Sequence, residues 1–359
     1  MRRMRRLVAV PAVLLALALA ACDLATDAPA PPSPSPVAAS QPPIRPSTGE
    51  SPPVLPTTPP ADRAPDVLAR IPVGGVPSDL AIDAHAGLMY VSNRGGWVTI
   101  IDVVSRRRVA AIPVGEQVFG LAIDADAGLL YAADADTLAD GQVVVVDLAT
   151  REVVDNIPLG ERAWPVDVAL DPDRGLLFVA ASGNDTLLAI DTATREVVRR
   201  HSVGAIPTGV TVDTRTGIAY VTGSTATAVD TATLLVLGTA EARGGRIAVD
   251  EASGVVLVAE EGDGTVALVD GRTLQVIDRA DLSGRGPFAA VPDPARGLAW
   301  VTGGRGGELV VLETATLRTV ARLDPLDATG PWFGIAAVDP LRDVVYVTAG
   351  PDVLVLERI

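Results

Sequence analysis

One phrase recurs seven times between residues 83 and 346: an Asp, a turn, then an apolar run with a large apolar side chain seven positions after the Asp. The pairs are Asp83/Tyr90, Asp124/Tyr131, Asp171/Phe178, Asp213/Tyr220, Asp250/Leu257, Asp293/Trp300 and Asp339/Tyr346. Glycine stands four residues after the Asp in six copies (Gly87, Gly128, Gly175, Gly217, Gly254, Gly297), and Asp343 replaces it in the seventh. Successive Asp residues lie 41, 47, 42, 37, 43 and 46 positions apart. A period of about 40 residues built from short apolar segments is the mark of a propeller, in which each copy is one blade. The repeat therefore predicts an all-β chain: a seven-bladed β-propeller of four-stranded antiparallel blades.

The third copy shows how a blade is written. Residues 165–171, 176–181, 186–191 and 196–204 are four short apolar or alternating runs with turn residues between them. Gly four after the Asp supplies the left-handed backbone a tight hairpin needs, and the Asp oxygen can accept turn N–H groups. A second turn recurs as Asp-Thr-Ala-Thr at 191 and 230, Glu-Thr-Ala-Thr at 313 and Asp-Leu-Ala-Thr at 147, all suited to side-chain-capped turns. Third strands such as 143–146, 309–312 and 353–356 are continuously apolar, as in strands covered on both faces. First strands favour small residues (Ala81, Ala122, Ala169, Ala248, Ala336), as expected where blades converge on an axis.

The last copy ends on its third strand, whereas residues 66–74 match the fourth strand at 153–160. The N-terminal strand is therefore expected to complete the last blade, which closes the ring and removes an exposed sheet edge.

Tyr90-Val91-Ser92-Asn93 followed by Ile101-Asp102, and Tyr220-Val221-Thr222-Gly223 followed by Val229-Asp230, resemble the Tyr-Val-Thr-Asn repeats of YncE-like propeller proteins. The resemblance spans the whole repeat region, with degraded copies at 131–134 and 257–260. It implies a seven-bladed, extracytoplasmic, mostly non-enzymatic propeller, and no particular ligand, because propellers host unrelated functions.

Residues 1–21 read as a leader: Arg2, Arg3, Arg5 and Arg6, then an apolar stretch at 7–20 too short for a comfortable permanent span. Leu19-Ala20-Ala21-Cys22 resembles the lipobox of bacterial lipoproteins, and that resemblance implies cleavage before Cys22 and lipidation of its thiol. Cys22 is the only cysteine, so no disulfide competes for it. Residues 22–65 form the lipidated Cys and its linker; 14 of positions 23–65 are proline, which suits a semi-rigid spacer reaching on the order of 100 Å. Residues 66–359 are the propeller. Net charge is −15, and loss of a leader with four Arg would leave −19. That acidity argues against nucleic acid, which demands clustered positive charge. The expected molecule is a monomeric propeller tethered outside the cytoplasm to the bacterial membrane, with an unidentified protein or envelope ligand as partner.

Of twelve aromatic residues, six occupy the repeat position and belong to the core. The other six, Trp97, Phe119, Trp164, Phe288, Trp332 and Phe333, map to second-to-third turns and inter-blade crossings, hence to one face. Aromatic clusters at a concave mouth suit binding; packing that caps the channel is the alternative. Arg94, Arg162, Arg246 and Arg285 share that face and could hold a carboxylate or phosphate, unless they are solvated loop charge. No catalytic residues and no cofactor are predicted. The oxygen-rich insertion with Asp134, Asp136 and Asp140 is the one stretch suited to Ca²⁺, although its spacing is not that of an EF-hand and a solvated turn explains it as well. The two histidines, His85 and His201, fall away from the aromatic face.

These residues favour a non-enzymatic binding or scaffold module. A lactonase-like propeller hydrolase or lyase at the same mouth is the first alternative, needing acid–base or metal groups at the axis. A structural surface-layer component is the second.

Overall fold

The computed structural model describes residues 64–135, 140–282, 286–303, 308–323 and 334–359. The expected leader, Cys22 and nearly all of the linker lie outside them. The described strands form seven four-stranded antiparallel sheets, at 77–113, 118–158, 165–202, 209–240, 247–281, 287–323 and 336–357, numbered here as blades 1 to 7. The strand Val67–Pro72 pairs antiparallel with Asp352–Glu357 and supplies the fourth strand of blade 7. The ring is thus closed by the N-terminal strand, as the sequence predicts.

Small and large residues face each other across the first two strands of most blades. Ala81 is opposite Tyr90, Ala122 opposite Tyr131, Ala169 opposite Phe178, Ala248 opposite Leu257 and Ala337 opposite Tyr346. The small side lets blades converge, and the large side fills the widening gap behind. All seven large residues are buried, Trp300, Phe178 and Leu257 completely. Each contributes roughly 1.5–3 kcal/mol of burial. Seven apolar clusters fill the seven inter-blade interfaces, such as that of Tyr131, Val143 and Val145 against Leu177, Val179 and Leu188. Third strands contribute to clusters on both sides, which explains their unbroken apolar runs.

The repeat Asp residues are turn formers. Asp83 accepts from Ala86 N at 2.8 Å, Asp124 from Ala127 N at 2.9 Å and Asp213 from Thr216 N at 3.1 Å. The Gly positions take φ between +62° and +74°, and Asp343 takes +57° in their place. The second turn needs the same backbone without glycine: Arg106, Arg151, Arg195, Leu234, Leu274 and Leu317 all have φ of +55° to +62°.

Two further devices hold the ring. Repeat hydroxyls reach the next blade, Ser92 donating to Phe119 O, Thr222 to Gly245 O and Thr302 to Gly334 O. Every outer strand also carries a bulge, at Leu68, Val109, Val154, Val198, Leu237, Ile277 and Val320. A bulge in an edge strand bends it away from pairing with another sheet. At the C-terminus Arg358 forms a buried two-point ion pair with Asp293 of blade 6, its Nε at 2.6 Å from Oδ2.

Candidate functional site

The turns between second and third strands and the inter-blade crossings share one face. Backbone bonds tie them together: Arg94 N to Val76 O, Ser182 N to Trp164 O and Gly244 N to Gly223 O. Trp97, Phe119, Trp164 and Phe288 all lie there, half-buried. Trp332, Phe333, Arg285 and Asp136 lie outside the described residues.

These candidates do not form one cluster. Phe119 and Trp164 pair, with ring centroids 6.4 Å apart and planes tilted by 51°. The Arg94 guanidinium stands 5.1 Å over the Phe119 ring, a cation–π contact. Trp97 opens the third strand of blade 1, where its ring lies over Gly95; a Cβ there would come within 2.0 Å of it. Arg162 is exposed on a left-handed backbone (φ +54°), beside Trp164 at φ +45°. Phe288 contributes its carbonyl, which accepts from Arg246 N at 3.2 Å.

Arg246 is the centre of the face. It precedes the first strand of blade 5, and its Nη1 donates to Asp167 Oδ1 of blade 3 at 2.7 Å and to Asp79 Oδ2 of blade 1 at 3.4 Å. Nη2 approaches Ser78 O at 3.4 Å, and Arg94 Nε donates to Ser78 Oγ at 3.3 Å. One guanidinium thus spans three blades across the axis. The aspartates also join first strands: Asp79 Oδ2 accepts from Leu121 N of blade 2 at 2.9 Å, and Asp167 Oδ2 from Val210 N of blade 4 at 3.0 Å.

The cluster follows from one register position. Two residues before the position opposite the repeat aromatic, the seven blades carry Asp79, Gly120, Asp167, Gly209, Arg246, Ala289 and Ile335. Charged and glycine residues alternate through the first five. The alternation is steric: a Cβ on Gly120 would sit 2.6 Å from Asp167 Cα, and one on Gly209 3.1 Å from Arg246 Cα. Arg94 and Arg246 stand out in the sequence as loop cations on this face, whereas Asp79 and Asp167 do not. Aligning the copies on their aromatics exposes both, as acids on an otherwise apolar strand.

Burial pushes the Asp167 carboxyl up to about 6, with Asp79 adding to the shift and the Arg246 guanidinium opposing it. Burial works against the Arg246 charge, but the two aspartates outweigh it and its pKa is raised. Arg94 is lowered by burial and by the nearby Arg246. Two cations and two carboxylates therefore share a poorly hydrated mouth.

Asp134, of the oxygen-rich stretch, staples a crossing. It is buried, its Oδ1 accepts from Glu116 N at 2.9 Å and Gln117 N at 3.0 Å, and its Oδ2 accepts from Gln142 Nε2 at 3.0 Å. Asn93 does the same in blade 1, accepting from Val76 N and donating to Gly74 O. Both staple a crossing to the second strand. A cleft of about 450 Å³ between blades 4 and 5 is lined by Glu241, Arg243, Glu260, Asp263 and Arg279, in which Arg243–Asp263 and Arg279–Glu260 are ion-paired.

Fold and site together define a seven-bladed propeller whose axial mouth is spanned by an ion-paired arginine. Neither protein-family models nor curated proteins give a match to this chain.

Proposed function

We propose that this chain is a lipid-anchored, extracytoplasmic binding module of the YncE-like kind, recognising a protein or envelope ligand at its axial mouth. The propeller fold suits a binding or scaffold role. The observation that carries the reading is the Arg246–Asp167–Asp79 bridge beside the Phe119–Trp164 pair, a rigid charged floor with an aromatic wall. Pre-ordered polar groups beside apolar surface are what specific ligands use. The membrane anchor rests on the lipobox-like 19–22 and the proline-rich linker.

The same bridge bears on the hydrolase alternative. Such chemistry asks two carboxylates to converge on a metal or a water. Here Asp79 and Asp167 converge on Arg246 Nη1, so a permanent organic cation occupies that point. This supports binding over catalysis.

Two experiments test the reading. Crosslinking capture from membranes with the native chain and with a Phe119→Ala/Trp164→Ala variant reports on the mouth, and equal capture of the same partners would remove it. Cys22→Ala should release the protein from membranes; retention would remove the anchor.

A further inference from the structure

The five N–H groups of Arg246 are not used alike. Nη1 serves the two aspartates, and one Nη2 hydrogen is directed at Ser78 O. Among the described residues Nε makes no hydrogen bond, and Nη2 has only the long 3.4 Å contact. Nε–H and the second Nη2–H are parallel and form the side-on fork of a guanidinium, the geometry that takes the two oxygens of a carboxylate. The side chain remains 16% exposed, so that fork is reachable from solvent. Meanwhile Asp79 and Asp167 fix Nη1 from below, so the fork needs no ordering when a ligand arrives.

We propose that the Nε–Nη2 edge of Arg246 is a carboxylate-binding site, with the ligand's apolar or aromatic body lying along Phe119 and Trp164. The inference rests on the axial mouth being the binding surface and adds the chemical class of what is bound. Arg94 reinforces it: its charge is disfavoured by burial and by Arg246, and an anion placed between two such cations relieves that repulsion. The aromatic pair explains why a carboxylate with an apolar body is preferred to a bare inorganic anion.

A dependence on pH follows from the same geometry. Among the described residues the charged groups acting on Asp167 are Arg246 of blade 5 and Asp79 of blade 1, and Arg94, beyond the second strand of blade 1, lies close enough to Arg246 to act on it in turn. Blades 2, 4, 6 and 7 present Gly120, Gly209, Ala289 and Ile335, which carry no charge. With Asp167 ionised these four groups sum to zero; with it protonated they carry one positive charge. Asp167 titrates near 6, so carboxylate affinity should rise as pH falls from 7.5 to 5.5, while a ligand such as benzoate stays ionised.

The test is calorimetric titration of the full chain with benzoate, inorganic phosphate and choline. Saturable binding of benzoate is expected, roughly fivefold tighter at pH 5.5 than at 7.5. Arg246→Lys keeps the charge and removes the fork, and should weaken binding at least about tenfold. Because that variant could fail to fold, the Nε–Hε resonance of Arg246 in the wild-type chain is followed as well, and a shift saturating with the same affinity is expected. No saturable benzoate binding below about 20 mM, an Arg246 resonance that does not move, or phosphate or choline binding more tightly than benzoate would each overturn the proposal. If benzoate is silent while the Phe119→Ala/Trp164→Ala chain still loses partner capture, the ligand class fails and the mouth stands. If capture is also unchanged, the mouth itself is wrong.

Discussion

Arg246 of blade 5 donates to Asp167 of blade 3 across the propeller axis at 2.7 Å, a contact between residues 79 positions apart in the chain. The pair ties non-adjacent blades, whereas the apolar clusters tie only neighbours. Both partners are largely buried, so removing one leaves the other as an uncompensated charge. Arg246→Met is therefore expected to destabilise the fold by about 3–5 kcal/mol in urea denaturation. Adding Asp79→Asn and Asp167→Asn should recover part of that loss, and no recovery would mean the cost is packing alone.

The Asp167 shift sets a sign for stability against pH. Its folded value of about 6 lies above an unfolded value of about 3.9, so between these the folded state holds more protons. Stability from this group is thus greatest below pH 4 and declines as pH rises to 6. The stability difference between wild type and Asp167→Asn should fall by roughly 2–3 kcal/mol between pH 4 and 7, read from denaturation at each pH. A difference that stays flat would show that folding does not raise the Asp167 pKa.

Arg358 and Asp293 form the buried latch that holds the C-terminus to blade 6. Removing residues 358–359 strips Asp293 of its guanidinium. A loss of about 3–5 kcal/mol is expected, visible as a lower thermal midpoint. Arg358→Lys should recover only part of it, because an ammonium cannot match the two-point geometry.

Asp134 offers three acceptor contacts to buried or half-buried donors. Asp134→Ala should cost about 3 kcal/mol by leaving the N–H groups of Glu116 and Gln117 without an acceptor. Millimolar Ca²⁺ should leave the wild-type thermal midpoint unchanged, since the Asp134 oxygens are already engaged; a rise with Ca²⁺ would instead support a metal at this stretch.

Six non-glycine residues hold a left-handed backbone at the second turn, at a cost of roughly 1–2 kcal/mol each. Arg151 is exposed. Arg151→Gly should therefore stabilise by about 0.5–1 kcal/mol after glycine's entropy is counted, measured as a higher urea midpoint.

The ring was legible because its signal is repeated: seven Asp residues, each followed seven positions on by a large apolar side chain, and six matching glycines specify blade, turn and closure together. The left-handed second turn was not, since Arg151 or Leu234 gives no sign of positive φ. The mouth was half legible. Arg94, Arg246, Phe119 and Trp164 are conspicuous as exceptions to the repeat. Asp79 and Asp167 were hidden because their aim depends on bulges between Pro77 and Asp79 and between Pro165 and Asp167, where strand alternation slips. The meeting of blades 1, 3 and 5 is a property of the closed ring, which no local pattern encodes.

The central claim is that the axial mouth recognises a partner. It is tested most directly by crosslinking capture from membranes, comparing the native chain with Phe119→Ala/Trp164→Ala after confirming equal thermal midpoints. Loss of the captured partner in the variant, with the fold intact, is the expected result. Capture of the same partners in equal amounts by both chains would contradict it.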